Sequence, residues 1–175
     1  MTASSPPDLE VFLTEDGPRA RWSGTTRRCA VGRGGIALKQ GEGDGITPVG
    51  RWPMRRLLYR ADRLARSTTL LPCQAIAPDD GWCDDPADAA YNQPVRLPYP
   101  ASHERLARDD HLYDLVVVLG YNDDPVVPGA GSAIFLHLAR GDYGPTEGCV
   151  ALALPDLLTV LESARPGSAV TVLAP

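Results

Sequence analysis

An apolar run that ends on a histidine, Ile134-Phe135-Leu136-His137, is followed after a short polar loop by Thr146-Glu147-Gly148-Cys149-Val150. Imidazole and thiol together can do nucleophilic chemistry near neutral pH. The thiol is a weak nucleophile until a base or a positive environment favours its thiolate. Twelve residues separate the pair, a spacing that suits a strand delivering the base and a loop returning the nucleophile to it. A helical pattern begins at Leu154, so Gly148-Cys149 is expected just ahead of a helix N-terminus. There the thiol pKa would fall, and the backbone N–H groups of Gly148 and Cys149 would hold a developing oxyanion. Each residue alone has a plainer reading, His137 as a satisfied core histidine and Cys149 as a small buried hydrophobe. Their conjunction points to catalysis.

The remaining reactive residues add little. His103 and His111 lie in a charged stretch and read as solvated, and all three histidines precede Cys149, which excludes a papain-like order. Pro155 at the sixth position after Cys149 excludes a Cys-x5-Arg phosphate loop. Cys29 and Cys73 read as packing residues, and Cys83 has acidic neighbours that raise a thiol pKa. No CxxC spacing supports a structural zinc site. Gly41-Glu42-Gly43-Asp44-Gly45 has two acids and no P-loop lysine, so it reads as a flexible turn.

Short strands must position the pair. Residues 11–14 and 19–23 read as strands around a Gly17-Pro18 turn, followed by strands at 27–31, 36–39 and 51–58. Residues 70–100 read as loop, with Asp79-Asp80-Gly81 and Asp84-Asp85-Pro86 as turn signals. Residues 112–119 and 133–139 contain apolar runs typical of strands buried on both faces. Leu154, Leu157, Leu158 and Leu161 fall on one helical face, Pro155 suits the first turn, and Pro166-Gly167 stop the helix before a last strand at 169–173. The fold class expected is mainly β, a sandwich or partly closed barrel with a C-terminal helix after Cys149 and a final strand.

The chain has 175 residues, is 43% hydrophobic and 22% charged, and carries 17 glycines and 17 prolines, a density that favours many short strands. This size fits a single domain, read as residues 10–175 after a flexible N-terminus at 1–9. A net charge of −5, with no block of Lys or Arg, argues against nucleic acid and anionic membrane surfaces. No segment reaches the length of a membrane span. Residues 1–7 lack the basic start and apolar stretch of a signal peptide, so a cytoplasmic location with reduced thiols is the expectation.

These residues resemble the L,D-transpeptidase catalytic domain family (YkuD-like), whose signature is a His followed by Ser/Thr-His-Gly-Cys. His137, Thr146, Gly148 and Cys149 match it. Gly43-Asp44-Gly45-Ile46-Thr47-Pro48-Val49-Gly50 looks like the family's Thr-Pro-x-Gly segment, and the likeness extends over residues 10–174. Glu147 stands where the signature has a second histidine, and Ala151 where many members carry arginine. The resemblance implies a Cys149/His137 acyl-enzyme acting on peptidoglycan stem peptides, at the bond between the L-centre of meso-diaminopimelate (or L-lysine) and D-alanine. It implies no metal and no organic cofactor. Thr146, Glu147, Arg140 and Tyr143 are then candidate substrate contacts, with Arg140 replacing the missing positive charge. Carbapenems are candidate inhibitors by the same resemblance.

The expected cytoplasmic location favours hydrolysis, an L,D-carboxypeptidase in cell-wall recycling, over an L,D-transpeptidase forming 3→3 cross-links or exchanging D-amino acids. An inactive module binding peptidoglycan fragments, motivated by Glu147 beside the thiol, and a thiol-switch protein are the alternatives from other classes. The orienting group for His137 is open between a backbone carbonyl and Asp142.

Overall fold

The computed structural model describes residues 5–175. Residues 1–4 of the expected N-terminal tail lie outside the described residues. Strand β1 (Asp8–Thr14) already begins inside the remainder of that tail, with Leu9 fully buried. It is followed by β2 (Gly17–Trp22), β3 (Thr25–Arg28), β4 (Ile36–Ala37), β5 (Thr47–Pro48), β6 (Gly50–Tyr59) and β7 (Cys73–Ala75). Next come β8 (Asp80–Cys83), β9 (Pro94–Arg96), β10 (His103–Arg105), β11 (Leu115–Leu119), β12 (Phe135–Leu138) and β13 (Val150–Leu152). The chain ends with helix α1 (Leu154–Ser163) and β14 (Ala169–Val172).

One sheet runs β13-β12-β11-β6-β14-β1-β2-β3, with β7 paired to β6 off this path. Its two ends approach each other. Beyond β3, Ala30 exchanges both backbone hydrogen bonds with Ala151 of β13 at 2.9 Å, and Gly32 bridges to Thr146. The result is a nearly closed barrel, which leaves few edges unpaired.

Side-chain alternation divides the interior. Leu115, Val117 and Leu119 of β11 join Leu57, Leu136, Leu152 and Val170 in the main core, which α1 closes from one end. Val116 and Val118 face the other way, with Leu58, Phe135, Trp82 and Cys149, under the small sheet β10-β8-β9. A strand buried on both faces needs apolar residues at every position, which is why residues 115–119 form an unbroken Leu/Val run.

Two sequence expectations shift. Asp80-Gly81 lies inside β8 and not in a turn, and residues 70–100, expected as loop, contribute β7, β8 and β9. In α1 the buried stripe is Leu157, Val160 and Leu161, continued by Ala164, while Leu154 is 37% exposed.

Candidate active site

Strand β12 places His137 on the same face as Phe135, in register with Val116 of β11 and Ala151 of β13. Its Nδ1 lies 2.9 Å from the Leu138 carbonyl oxygen. A carbonyl only accepts, so Nδ1 carries the hydrogen and Nε2 is left as the basic nitrogen. The orienting group is therefore the backbone carbonyl. Asp142 instead accepts the Gly144 N–H at 2.8 Å. The Tyr113 ring meets the imidazole edge-on at 5.2 Å. Burial drives the His137 pKa down to about 4, against the Leu138 hydrogen bond and with Arg108 adding to the depression. The imidazole is neutral throughout the physiological range, as a base must be.

Cys149 does not sit at a helix N-terminus. Strand β13 and Ala153 separate it from α1, so the helix dipole expected from the sequence does not act on the thiol. Its Sγ accepts the Phe135 N–H at 3.3 Å and donates to the Ala133 carbonyl at 3.2 Å. That carbonyl is aimed by an unusual backbone, since Ala133 has φ +52° and its N–H is held by Asn92 Oδ1 at 3.0 Å. A non-glycine residue in the left-handed region stores strain of the kind found at functional sites. Burial pushes the Cys149 thiol up to about 12; the Glu104 carboxylate adds to this, while the Phe135 N–H and Lys39 act in the opposite direction. The resting pair is therefore a neutral thiol and a neutral imidazole, and the proton must move as the substrate reacts.

The loop before the nucleophile is tied from both sides. Thr146 Oγ1 donates to the Cys149 carbonyl at 2.7 Å and accepts the Gly148 N–H at 3.1 Å, so this N–H, expected as an oxyanion donor, is occupied at rest. Gly148 has φ +134°, and a Cβ there would lie 2.9 Å from the Ile46 carbonyl oxygen. Only glycine fits. Thr47, from the Thr-Pro-x-Gly segment, is buried and accepts the Gly32 N–H at 2.8 Å while donating to the Gly148 carbonyl at 2.9 Å. Thr47→Val keeps the shape but orphans two buried backbone groups. It is expected to cost about 2–3 kcal/mol of stability, whereas Thr47→Ser retains both bonds and most of that stability. Thermal unfolding of the two variants checks this.

His137 and Cys149 line one cavity of about 400 Å³. Of the other sequence candidates, Arg140, Thr146 and Glu147 also border it. Tyr143 does not; its ring packs 4.5 Å from the Arg28 guanidinium, beside a different groove. Glu147 is 74% exposed at its side chain and paired with Arg33 at 2.7 Å. The acid that opposes the thiolate is Glu104, which β10 carries to the cavity and which accepts the Tyr113 hydroxyl at 2.6 Å. Sequence reading missed Glu104 and Asn92, which reach the site from segments that read as charged stretch and loop, and Tyr113, which reads as part of a strand at 112–119 but precedes β11. The loop at residues 41–45 is not a flexible turn. Asp44 accepts backbone N–H groups of Gln40, Gly41 and Ile46 and the Lys39 ammonium, and although burial alone would raise its pKa, these bonds hold it at about 2. This loop delivers Glu42 to the cavity. His111 is exposed beside Asp114, and the four cysteines are free thiols.

A nearly closed β-barrel with a buried thiol and a neutral imidazole on one cavity has the make-up of a cysteine acyl-transfer domain. The chain belongs to the YkuD family of L,D-transpeptidase catalytic domains, whose model matches residues 6–172. Membership supports L,D-transpeptidase-type cysteine catalysis on peptidoglycan. No curated protein and no solved structure matches the chain. No helix among the described residues is long and apolar enough to cross a membrane.

Proposed function

We propose that this domain is an L,D-carboxypeptidase that removes D-alanine from the L-centre of a peptidoglycan tetrapeptide through a Cys149 thioester. The observation that carries the reading is the neutral His137, with Nδ1 fixed by the Leu138 carbonyl, facing the same cavity as Cys149. In this reading the Sγ proton passes to His137 Nε2 as sulfur attacks the L–D carbonyl, and backbone N–H groups at Gly148 and Cys149 take up the oxyanion once the loop reorganises. Collapse expels the D-alanine amine, which receives the proton held by His137. Water then gives a proton to His137 and its oxygen to the thioester, releasing tripeptide and returning the proton to sulfur. Arg140, at the cavity, is the cation proposed to hold the terminal D-residue's carboxylate.

Water is favoured as acceptor by the carboxylates of Glu42, Asp84 and Glu104 around the cavity, since an amine entering beside them is held as ammonium, which is not a nucleophile. Family membership favours a second reading, transfer to an amine. The test is digestion of L-Ala-γ-D-Glu-meso-diaminopimelate-D-Ala by the wild-type protein, with and without excess D-methionine, read by mass spectrometry. Tripeptide in both tubes is the expected result. Replacement of D-Ala by D-Met would instead establish transpeptidation, and an intact substrate in both tubes would overturn the enzyme reading for this peptide.

A further inference from the structure

We infer that Asn92 is a positioning residue for Cys149: it clamps Ala133 in a left-handed backbone that keeps the thiol hydrogen on the Ala133 carbonyl and fixes where Sγ stands. The inference rests on Cys149 as the nucleophile proposed above, and adds what keeps that sulfur in place.

Sγ is held from both sides of Ile134, by the Phe135 N–H at 3.3 Å and the Ala133 carbonyl at 3.2 Å. The Phe135 side is supported by the sheet, since Phe135 opens β12 and is in register with Val118. Ala133 lies ahead of the strand, outside that pairing. Its φ of +52° crowds Cβ against the carbonyl oxygen, a conformation that an alanine leaves unless something holds it. A return to negative φ would turn the carbonyl away from the thiol.

Asn92 supplies the hold. Its Oδ1 accepts the Ala133 N–H at 3.0 Å and the Trp82 indole N–H at 3.0 Å. Its Nδ2 donates to the carbonyls of Tyr121 at 3.1 Å and Asn122 at 2.8 Å. Two donors face one end of the amide and two acceptors face the other, so its orientation is forced and each of its hydrogen-bonding positions is filled. The side chain is buried. The Asn92 N–H bonds the Cys83 carbonyl at 2.9 Å, which fastens the clamp to the end of β8. The φ of +56° at Asn92 is one that asparagine tolerates better than most residues.

These contacts close a ring around the sulfur. Trp82, which donates to Asn92, packs edge-on against Phe135 at 5.1 Å, and Phe135 makes the second bond to Sγ. The preceding residues have other anchors: the Gly131 N–H goes to the Tyr91 hydroxyl at 2.9 Å, and the Ser132 hydroxyl to Glu42 at 2.7 Å. Ala133 alone in this segment depends on the Asn92 side chain. Asn92 does not border the cavity, so it acts on a substrate only through Cys149. With the hydrogen parked on a fixed carbonyl, it can swing about the Cβ–Sγ bond towards His137 while the sulfur stays where the scissile carbonyl arrives. A sulfur displaced by an ångström loses much of its rate.

The infrared S–H stretch of Cys149 reads this clamp directly. Each protein is measured against its own Cys149→Ser partner, which subtracts the thiols of Cys29, Cys73 and Cys83. Asn92→Gly accepts the left-handed backbone at residue 92 but releases Ala133. Its band is expected to move to higher wavenumber, towards a free thiol, and kcat on the tetrapeptide to fall about 10–100-fold, with KM changed less than about twofold. Asn92→Asp is the rescue. Buried beside two carbonyls, this carboxyl stays protonated, so one oxygen still accepts and the hydroxyl donates. Its band should stay at the wild-type position, with kcat within about fivefold of wild type. Asn92→Ser replaces the glycine variant if that does not fold; its hydroxyl is one bond too short to reach Ala133, and the same band shift is expected. A purely structural role would lower the melting temperature and leave the band unmoved. An unmoved band in Asn92→Gly or Asn92→Ser, or equal kcat losses in Asn92→Asp and Asn92→Gly, would overturn the clamp. Failure of the wild type to cleave the tetrapeptide would overturn the peptidase reading instead, and the band would still decide the role of Asn92.

Discussion

Cys149→Ala is expected to reduce tetrapeptide cleavage at least about 10⁴-fold, because no neighbouring group supplies another nucleophile for acyl transfer. The same change has a structural cost. Sγ accepts the Phe135 N–H and donates to the Ala133 carbonyl, both in a buried setting, and alanine leaves the two without a partner. About 1–3 kcal/mol of stability should be lost with them. Cys149→Ser separates the effects. Its hydroxyl can make both bonds, so the melting temperature should stay near that of the wild type. The reaction should still fail, because a serine hydroxyl is a weaker acid and a poorer nucleophile than a thiol, and the weakly basic His137 offers it no compensating activation. Thermal unfolding with a fixed-time digest measures both. Turnover of Cys149→Ala near the wild-type rate would exclude Cys149 as the nucleophile.

The elements read correctly from sequence are those where one physical constraint dominates. Residues 115–119 must be apolar at every position because the strand is covered on both faces, and nothing but a buried strand writes that pattern so briefly. The final helix and strand are legible for the same reason, from leucine spacing and the Pro166-Gly167 stop. Strands β8, β9 and β10 are illegible because each has three or four residues, and apart from Trp82, Cys83 and Val95 their residues (Asp, Gly, Pro, His, Glu, Arg) are not strand formers. What makes them strands is pairing with one another over Phe135 and Val118, a tertiary effect that no local window contains.

The candidate site divides along the same line. His137 and Cys149 are close in sequence and chemically distinctive, so their pairing is visible in the chain. The groups that set their properties are not. Tyr113 meets the imidazole from the loop before β11, Asn92 fixes Ala133 from the turn before β9, and Glu104 reaches Tyr113 from β10. The helix begins at Leu154 as expected, but its N-terminus does not reach Cys149, since Val150-Ala151-Leu152 is needed as the strand that joins β12 and closes the barrel onto Ala30. The departure at Glu147 also changes meaning in three dimensions. Its carboxylate turns outward to Arg33, and the electrostatic opposition to the thiolate comes from Glu104, a residue with no mark in the sequence.

His137→Gln is expected to lower kcat about 10²–10⁴-fold, the range that a positioned acid–base group contributes, with KM little changed. Glutamine keeps much of the volume and can donate to the Leu138 carbonyl, so the loss reads proton transfer and not packing. The pH profile carries the stronger signature. Burial holds the His137 pKa at about 4, so the acid limb of wild-type activity should fall near pH 4, well below the 6.5 of an ordinary histidine, and the variant should lack that limb. Stability moves with the same group. The unfolded chain protonates this histidine below about pH 6.5 and the folded protein only near 4, so the unfolded state binds more protons in between and stability drops as pH falls through that window. The shift from 6.5 to about 4 corresponds to about 3 kcal/mol lost from this one site. His137→Gln has no such proton to bind, so its melting temperature should decline less than that of the wild type between pH 6.5 and 4. An equal decline in both proteins, or an activity limb near pH 6.5, would show that the imidazole is solvated and not buried against Tyr113 and Leu138.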